Sequence, residues 1–139
     1  MELFHHTQNG LPEWQANPGI FSINRLPHRS DFSRYSTAKE ALECRRWSGG
    51  RYLSLNGEWE FAFYTRPADV VAGFQNGEAE FGRIEVPSNP QVLGYGIPQY
   101  CNVQYPWESG EDVMPPYVPE QKNNVFCYRK RFFLPPGFD

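Results

Sequence analysis

Aromatic and charged residues alternate between positions 58 and 63, and this pattern constrains the fold more than any other feature of the sequence. Trp59, Phe61 and Phe63 fall on one side of an extended chain. Glu58 and Glu60 fall on the other side. Successive side chains of a β-strand point to opposite faces, so the pattern predicts a strand with one buried face and one solvated face.

A second alternating run precedes this strand. Leu53 and Leu55 are separated from the aromatic run by Asn56-Gly57, a dipeptide typical of two-residue hairpin turns. We therefore predict a β-hairpin around Asn56-Gly57, with Trp59 and its aromatic neighbours in a core.

The composition favours a β-rich domain with long ordered loops. Eleven Phe, eight Tyr and four Trp residues supply large apolar side chains, and thirteen Pro and twelve Gly residues supply turns. Such a chain can offset the entropy cost of folding, which argues against disorder. The length of 139 residues corresponds to one domain.

Further elements follow from local signals. Thr37 and Glu40 have the spacing of a capping box, which predicts a helix of about two turns through Cys44. A second short helix is predicted from Pro67 to near Gly73. Alternation predicts a brief strand over 83–86 and a longer one over 125–134.

The chain is predicted to consist of an arm and a domain. Residues 1–35 carry turn signals with little periodicity and are predicted to form an extended N-terminal arm, with Trp14, Phe21, Ile23 and Phe32 as its anchors. Residues 36–139 are assigned to the β-rich domain. The Pro- and Gly-rich stretch 87–124 is a long connection of the kind that is usually functional.

The charge pattern argues against nucleic-acid binding. The net charge is −3, and the one dense cationic cluster, Arg129-Lys130-Arg131, lies inside a predicted strand. We interpret this cluster as a solvated strand face, because nucleic-acid binding requires a wider basic surface.

The cysteines and the N-terminus favour a cytoplasmic location. Cys44, Cys101 and Cys127 are an odd number at wide spacing, which predicts buried free thiols in a reducing compartment. The N-terminal residues lack the cationic start and apolar stretch of a signal peptide, and no segment has the ~20 apolar residues of a membrane span.

Residues 86–105 carry a family resemblance. They read V-P-S-N-P-Q-V-L-G-Y-G-I-P-Q-Y-C-N-V-Q-Y. This run resembles a signature of the N-terminal, sugar-binding domain of family 2 glycoside hydrolases of the β-galactosidase type. Residues 24–27 (N-R-L-P), 54–61 (S-L-N-G-E-W-E-F), 115–120 (P-P-Y-V-P-E) and 127–132 (C-Y-R-K-R-F) resemble further motifs of that domain in the same order.

The resemblance implies a fold and an activity. The fold is an all-β, jelly-roll-like β-sandwich that is incomplete here, with long ordered loops and one or two short helices. The complete enzyme would hydrolyse terminal β-D-galactosides with retention, using catalytic carboxylates in a barrel beyond residue 139. This chain alone is therefore predicted to be inactive. The resemblance also implies that the complete enzyme is a homo-oligomer and uses magnesium and sodium ions through residues outside this chain.

The resemblance further indicates a sugar-binding loop. Asn102 matches the Asn of the family's Y-x-N-V motif and is the candidate sugar contact, with Tyr100 and Val103 shaping the same wall. The amide of Asn102 offers two donors and an acceptor, which suits a pair of ring hydroxyls. The alternative is that Asn102 only satisfies loop backbone groups, as Asn often does. Asn89 is expected to fix the loop.

No residue of the chain is nominated as catalytic. A retaining glycosidase needs two carboxyl groups about 5–5.5 Å apart. Glu58 and Glu60 share a strand face, but they fall on the predicted solvated side of the strand. The acidic residues at 108, 111 and 112 are interpreted as a solvated loop rather than a calcium site.

Two positions depart from the family pattern. Pro90 stands where the family usually has Trp, and residues 123–126 (N-N-V-F) stand where it often has N-P-x-G. Two alternatives to an enzyme portion are a non-catalytic carbohydrate-binding module and a fragment that docks onto a separately encoded remainder.

Overall fold

A computed structural model describes residues 17–44, 52–98, 118–119, 121 and 123–138. It contains one short α-helix in this part of the chain, α1 (Ala38–Leu42), and three strands, β1 (Gly57–Tyr64), β2 (Gly82–Val86) and β3 (Val125–Arg129). Two 3₁₀ turns, Pro67–Asp69 and Phe74–Asn76, lie between β1 and β2. The predicted all-β class is confirmed, and the open sheet agrees with an incomplete sandwich.

The sheet is antiparallel and has β1 at its centre, in the order β2-β1-β3. β2 pairs with the first part of β1, from Gly57↔Val86 to Phe61↔Gly82. β3 pairs with the second part, from Glu60↔Arg129 to Tyr64↔Val125. The alternating aromatic run found in the sequence therefore forms the central strand, which pairs with both β2 and β3.

The apolar face of the sheet forms the core. Phe61 is 2% exposed, and its ring lies 4.7 Å from Tyr95, 5.0 Å from Tyr128 and 6.1 Å from Phe126, measured between centroids. Ile84 of β2 is 4% exposed on the same sheet face. Aromatic pairs at these separations add about 0.5–1.5 kcal/mol each beyond the burial of their area. The predicted burial of the aromatic face is confirmed at its centre.

The opposite face is less polar than the sequence predicts. Ala62 and Cys127 are directly paired across β1 and β3 and are 6% and 4% exposed. Next to them Glu60 and Arg129 form a cross-strand ion pair. The prediction that this face simply meets water is therefore wrong at its centre, because a neighbouring strand supplies small and charged partners.

The predicted hairpin at Asn56-Gly57 is wrong. Residues 52–56 form no strand, and β1 starts at Gly57. A type I′ turn needs a positive φ at both central residues, and Gly57 has one (φ 106°) while Asn56 does not. The carbonyls of Leu55 and Asn56 instead accept hydrogen bonds from Lys130 Nζ, at 3.0 and 3.1 Å.

The strand predicted over 125–134 is shorter than expected. β3 ends at Arg129, and Phe132, Phe133 and Leu134 beyond it are 50%, 95% and 63% exposed. Phe132 and Leu134 continue the alternating sequence pattern of β3. Lys130, however, directs its side chain to the carbonyls of Leu55 and Asn56, which precede β1. The pairing with β1 ends at Glu60↔Arg129, although β1 itself continues to Gly57.

The helix signals are confirmed in part. Thr37 caps α1 by accepting a hydrogen bond at Oγ1 from the Glu40 amide, at 3.2 Å. Glu40 Oε2 accepts from the Ser36 amide at 2.9 Å, one residue before the position expected in a capping box. The second predicted helix is replaced by the two 3₁₀ turns, which are separated by Gly73 in a left-handed conformation (φ 80°).

The described part of the predicted arm, residues 17–35, contains no helix or strand. Phe21, Ile23 and Phe32 are 77%, 46% and 55% exposed, and Trp14 lies outside the described residues. The assignment of 1–35 as an arm and 36–139 as a domain stays a prediction. No helix in the described residues has the length and apolar character needed to cross a membrane.

Candidate functional site

The three predicted sugar contacts, Tyr100, Asn102 and Val103, lie outside the described residues. The structure describes the chain on either side of them, up to residue 98 and from residues 118–119 onward. The geometry of these two flanks is therefore what the structure contributes to the candidate site.

The first flank is a compact series of turns. Asn89 Oδ1 accepts a hydrogen bond from the Gln91 amide at 3.1 Å, and the Asn89 carbonyl accepts from Val92 at 3.1 Å. The Pro90 carbonyl accepts from both Leu93 and Tyr95, each at 3.0 Å. An Asn side chain bonded to the amide two residues ahead is a common way of fixing a turn. Asn89 therefore fixes the turn over residues 89–92, and its expected role in fixing the loop that carries Asn102 stays a prediction.

Two residues join this flank to the sheet. The ring of Tyr95 packs edge-on against Phe61 at 4.7 Å and lies 5.9 Å from Phe63. Gly96 (φ 75°) lies so close to Asn124 that a Cβ on Gly96 would be 2.5 Å from Asn124 Nδ2 and 3.6 Å from Phe63 Cε2. Glycine is required here both by the left-handed backbone and by the close approach.

The second flank is hydrogen-bonded to Asn123. Pro119 is buried, and its carbonyl accepts a hydrogen bond from Asn123 Nδ2 at 3.1 Å. Asn123 and Asn124 immediately precede β3. Two consecutive asparagines thus contact the two flanks of the segment that carries Asn102.

The two carboxylates of β1 are both paired with arginines. Glu60 Oε2 accepts a hydrogen bond from Arg129 Nε at 2.6 Å, and Glu58 lies 3.5 Å from Arg83 at an exposed position. The Arg129 hydrogen bond holds the pKa of Glu60 below its usual value, and burial opposes this shift only in part. A lowered pKa suits a structural ion pair and not a general acid, which needs a raised one.

Arg129 lies at the centre of a cluster on this face. Its guanidinium lies over the Phe81 ring, 4.7 Å from the centroid, and its Nη1 is close to Gly77. Nη1 is buried without a hydrogen-bond partner in the described structure. The interpretation of Arg129-Lys130-Arg131 as a solvated face is therefore wrong for Arg129, whose side chain is only 15% exposed.

Lys130 and Trp59 together hold the residues before β1. Lys130 Nζ bonds to the carbonyls of Leu55 and Asn56, and Trp59 Nε1 donates to the Leu55 carbonyl at 2.7 Å. Lys130 Nζ also lies over the Trp59 ring, 5.7 Å from the centroid. A charged hydrogen bond of this kind is stronger than a neutral one, so Lys130 has a structural role.

Two further groups in the described part of the chain have raised pKa values. Burial raises the pKa of the Cys127 thiol and of the Tyr128 phenol, which keeps both protonated at neutral pH. Cys44 and Cys127 are free; Cys44 is exposed, which corrects the prediction of buried thiols, and Cys101 lies outside the described residues. Among the described residues, no three His, Cys, Asp or Glu side chains come together as a possible metal site.

The family of the chain is decided by comparison with known proteins. The model of the family described as "Glycosyl hydrolases family 2, sugar binding domain" matches residues 52–138. The chain belongs to this family. The match includes all three strands, both flanks and the segment that contains Asn102.

The relatives of this sugar-binding domain are named as β-galactosidases. One from Priestia megaterium is 41% identical over 134 residues, covering 93% of this chain and 13% of that protein. One from Vibrio cholerae is 41% identical over 126 residues, covering 88% and 11%. A β-galactosidase large subunit from Leuconostoc lactis is 35% identical and is covered to 22%. The chain therefore spans only a small part of the length of these proteins.

Sequence reasoning missed the roles of several residues in this domain. The tandem Asn123-Asn124 was noticed only as a departure from the family pattern, and its contacts with both flanks were not predicted. The pairing of Glu60 with Arg129 was also missed, although acidic and basic residues on two alternating strands were a signal that could have indicated it.

Proposed function

We propose that this chain is the N-terminal portion of a β-galactosidase that hydrolyses terminal, non-reducing β-D-galactosides with retention. The observation that carries the proposal is the similarity of nearly the whole chain to proteins named β-galactosidase, at 41% identity over 134 residues in one case. The alternatives of a free carbohydrate-binding module and a docking fragment are not favoured, because the relatives described above are named as β-galactosidases or as the large subunit of one.

Within that enzyme, the chain would supply scaffold and one wall of the galactose subsite. Asn102 would bond to ring hydroxyls, and Tyr100 and Val103 would shape the surface beside it. The arginine partners of Glu58 and Glu60 support the view that these carboxylates are structural. The catalytic acid/base and nucleophile are accordingly assigned to residues beyond this chain, and the chain alone is expected to be inactive.

The proposal extends to partners, ions and location. The partners would be a β-galactoside and the remaining domains of the same enzyme, in a homo-oligomer. Magnesium and sodium ions would be held by residues outside this chain. A cytoplasmic location is supported by the exposed free thiol of Cys44, because exposed thiols persist in reducing compartments.

The first test isolates the natural polypeptide that carries this sequence. An antibody raised against residues 52–98 is used to purify it from its host. We expect a polypeptide several times heavier than 16.1 kDa that hydrolyses o-nitrophenyl β-D-galactoside but not the corresponding glucuronide or mannoside. ¹H NMR of the first product should show β-galactose, the retained anomer. A purified polypeptide that cleaves none of the three glycosides would refute the proposal.

The second test addresses the residues in that enzyme. Asn102→Ala should raise KM for the galactoside about tenfold, since one or two lost hydrogen bonds correspond to about 1.4 kcal/mol. Asn76→Ala, at an exposed position on a 3₁₀ turn, is the control and should leave KM unchanged. Hydrolysis by residues 1–139 alone would show that the chain contains catalytic groups and would overturn the assignment of none.

A further inference from the structure

The turns over residues 89–97, here called the aliphatic turn, expose three large aliphatic side chains. Val92, Leu93 and Ile97 are 79%, 53% and 75% exposed. No charged residue occurs from residue 86 to residue 98, whereas 21% of the whole chain is charged. Single exposed apolar residues are common on protein surfaces. A group of them in an uncharged segment is instead typical of a surface that another protein segment covers.

The aliphatic turn is held in one conformation by hydrogen bonds and by the sheet. The Pro90 carbonyl accepts hydrogen bonds from the amides of Leu93 and Tyr95, each at 3.0 Å. The Tyr95 ring packs on Phe61, the most deeply buried aromatic residue of β1, at 4.7 Å between centroids. A surface that is fixed in advance loses little conformational entropy when a partner covers it, and this favours binding.

An exposed leucine elsewhere in the chain has different surroundings. Leu42 is 85% exposed at the end of α1. Its sequence neighbours Lys39, Glu40 and Glu43 are charged, as is usual for a helix that meets water. High exposure of one apolar side chain therefore does not distinguish the aliphatic turn, but high exposure in an uncharged, fixed segment does. Leu42 serves as the control position below.

The lengths of the relatives indicate what covers the aliphatic turn. The chain spans 13% of the β-galactosidase from Priestia megaterium and 11% of the one from Vibrio cholerae. Under the proposed function, most of the polypeptide therefore lies outside this chain. Parts of one polypeptide meet at effective concentrations on the order of millimolar, so they cover an apolar surface more readily than a second copy does.

We propose that the aliphatic turn is the surface through which this chain packs against the remaining part of the same β-galactosidase polypeptide. The covering surface is apolar and uncharged, because a charge facing Val92, Leu93 and Ile97 would lose its hydration without gaining a partner. This inference rests on the proposed function and adds to it the residues that make the contact.

Photo-cross-linking of the complete enzyme identifies the covering segment. A diazirine analogue of leucine is incorporated at position 93, and at position 42 in the control. After irradiation, position 93 should be joined to a peptide from outside residues 1–139, in a product with the mass of a single polypeptide. Position 42 should react mostly with water, because Leu42 stays exposed.

Thiol labelling of the complete enzyme tests the burial independently, in variants that all carry Cys44→Ser. Ile97→Cys should react with a maleimide at least about tenfold more slowly than Leu42→Cys, since only a transiently opened state can react. Adding Leu93→Asp should raise the labelling rate of Ile97→Cys toward that of Leu42→Cys, because a carboxylate is costly to bury against an apolar surface. Leu93→Met, which keeps the size and the apolar character, is the matched control and should not.

The outcomes separate this proposal from the proposed function. A covalent dimer formed from position 93 would assign the turn to a second copy of the chain and overturn the proposal. A cross-link confined to residues 1–139, or reaction with water alone, would overturn it as well. If the unsubstituted enzyme cleaves galactosides while position 93 gives one of these results, the docking surface fails and the proposed function stands. If the unsubstituted polypeptide cleaves no galactoside, the proposed function itself fails.

Discussion

Truncating Phe61 should remove much of the stability of the sheet, whereas the same change at Phe133 should remove little. Phe61 is 2% exposed at the centre of β1, and Phe133 is 95% exposed beyond β3. Replacing a buried Phe with Ala costs about 3–5 kcal/mol, from lost apolar burial and the cavity left behind. Exposed substitutions usually stay within about 0.5 kcal/mol.

The ring neighbours of Phe61 support a loss near the middle of that range. Tyr95, Tyr128 and Phe126 lie 4.7, 5.0 and 6.1 Å from its centroid and come from two different segments of the chain. Three aromatic pairs at about 0.5–1.5 kcal/mol each are lost together, and side chains on a paired sheet have little freedom to fill the space. A loss of about 4 kcal/mol lowers the ratio of folded to unfolded protein by roughly 1,000-fold.

The assay is urea unfolding of the purified protein followed by tryptophan fluorescence. We take the unfolding free energy to fall by about 2 kcal/mol per molar urea. Phe61→Ala should then lower the urea midpoint by about 2 M and Phe133→Ala by less than about 0.3 M. If the two variants unfold within about 0.5 M of each other, the core is not centred on Phe61. An equally large loss at Phe133 would show that this side chain is buried in the intact protein.

Three other predictions concern side chains around the sheet. Because Arg129 lowers the pKa of Glu60, this pair stabilises the fold at neutral pH, and the advantage over Glu60→Gln should disappear as the pH falls below about 4.3. At pH 8, iodoacetamide should label exposed Cys44 and spare Cys127, whose pKa is raised by burial, until the protein is unfolded. Lys130→Met should cost about 1.5 kcal/mol, because two carbonyls lose a charged donor.

Each of these predictions has a control and a contradicting result. Glu58→Gln breaks an exposed pair at 3.5 Å and should cost much less stability at pH 7 than Glu60→Gln. Rapid labelling of Cys127 in the folded protein, identified by peptide mapping, would contradict its burial. Arg131→Met is the control for Lys130, and an equal loss of stability in both would remove the special role of the Lys130 hydrogen bonds.

Elements that depend on neighbouring residues were predicted correctly from the sequence. Predictions were wrong where a residue far away in the sequence determines the local structure. The cap at Thr37 and the strand over 83–86 depend on neighbouring residues and were confirmed. The hairpin at Asn56-Gly57 was wrong: Lys130, more than 70 residues later, bonds to the carbonyls of Leu55, expected in a strand, and Asn56, expected in the turn. A local pattern carries no information about such a bond.

In the candidate site, too, features that depend on neighbouring residues were predictable and contacts between distant residues were not. The motif around Asn102 was recognisable in the sequence, and the turn at Asn89 depends on a hydrogen bond that spans only two residues. The contact of Asn124 with Gly96 could not be predicted, because it depends on how β3 is registered against β1. The packing of the Tyr95 ring on Phe61 and Phe63 likewise joins residues that are far apart in the sequence.

The sequence by itself determined the strand period of β1, the all-β class and the family, since these depend on residue types at fixed spacing along the chain. Only the tertiary structure decided that β1 is the central strand, that Glu60 pairs with Arg129, and which side chains contact the two flanks of the segment that carries Asn102. The physical reason is that these contacts join residues far apart in sequence. Their free energy appears only after the chain entropy has been lost and the register of the strands is set.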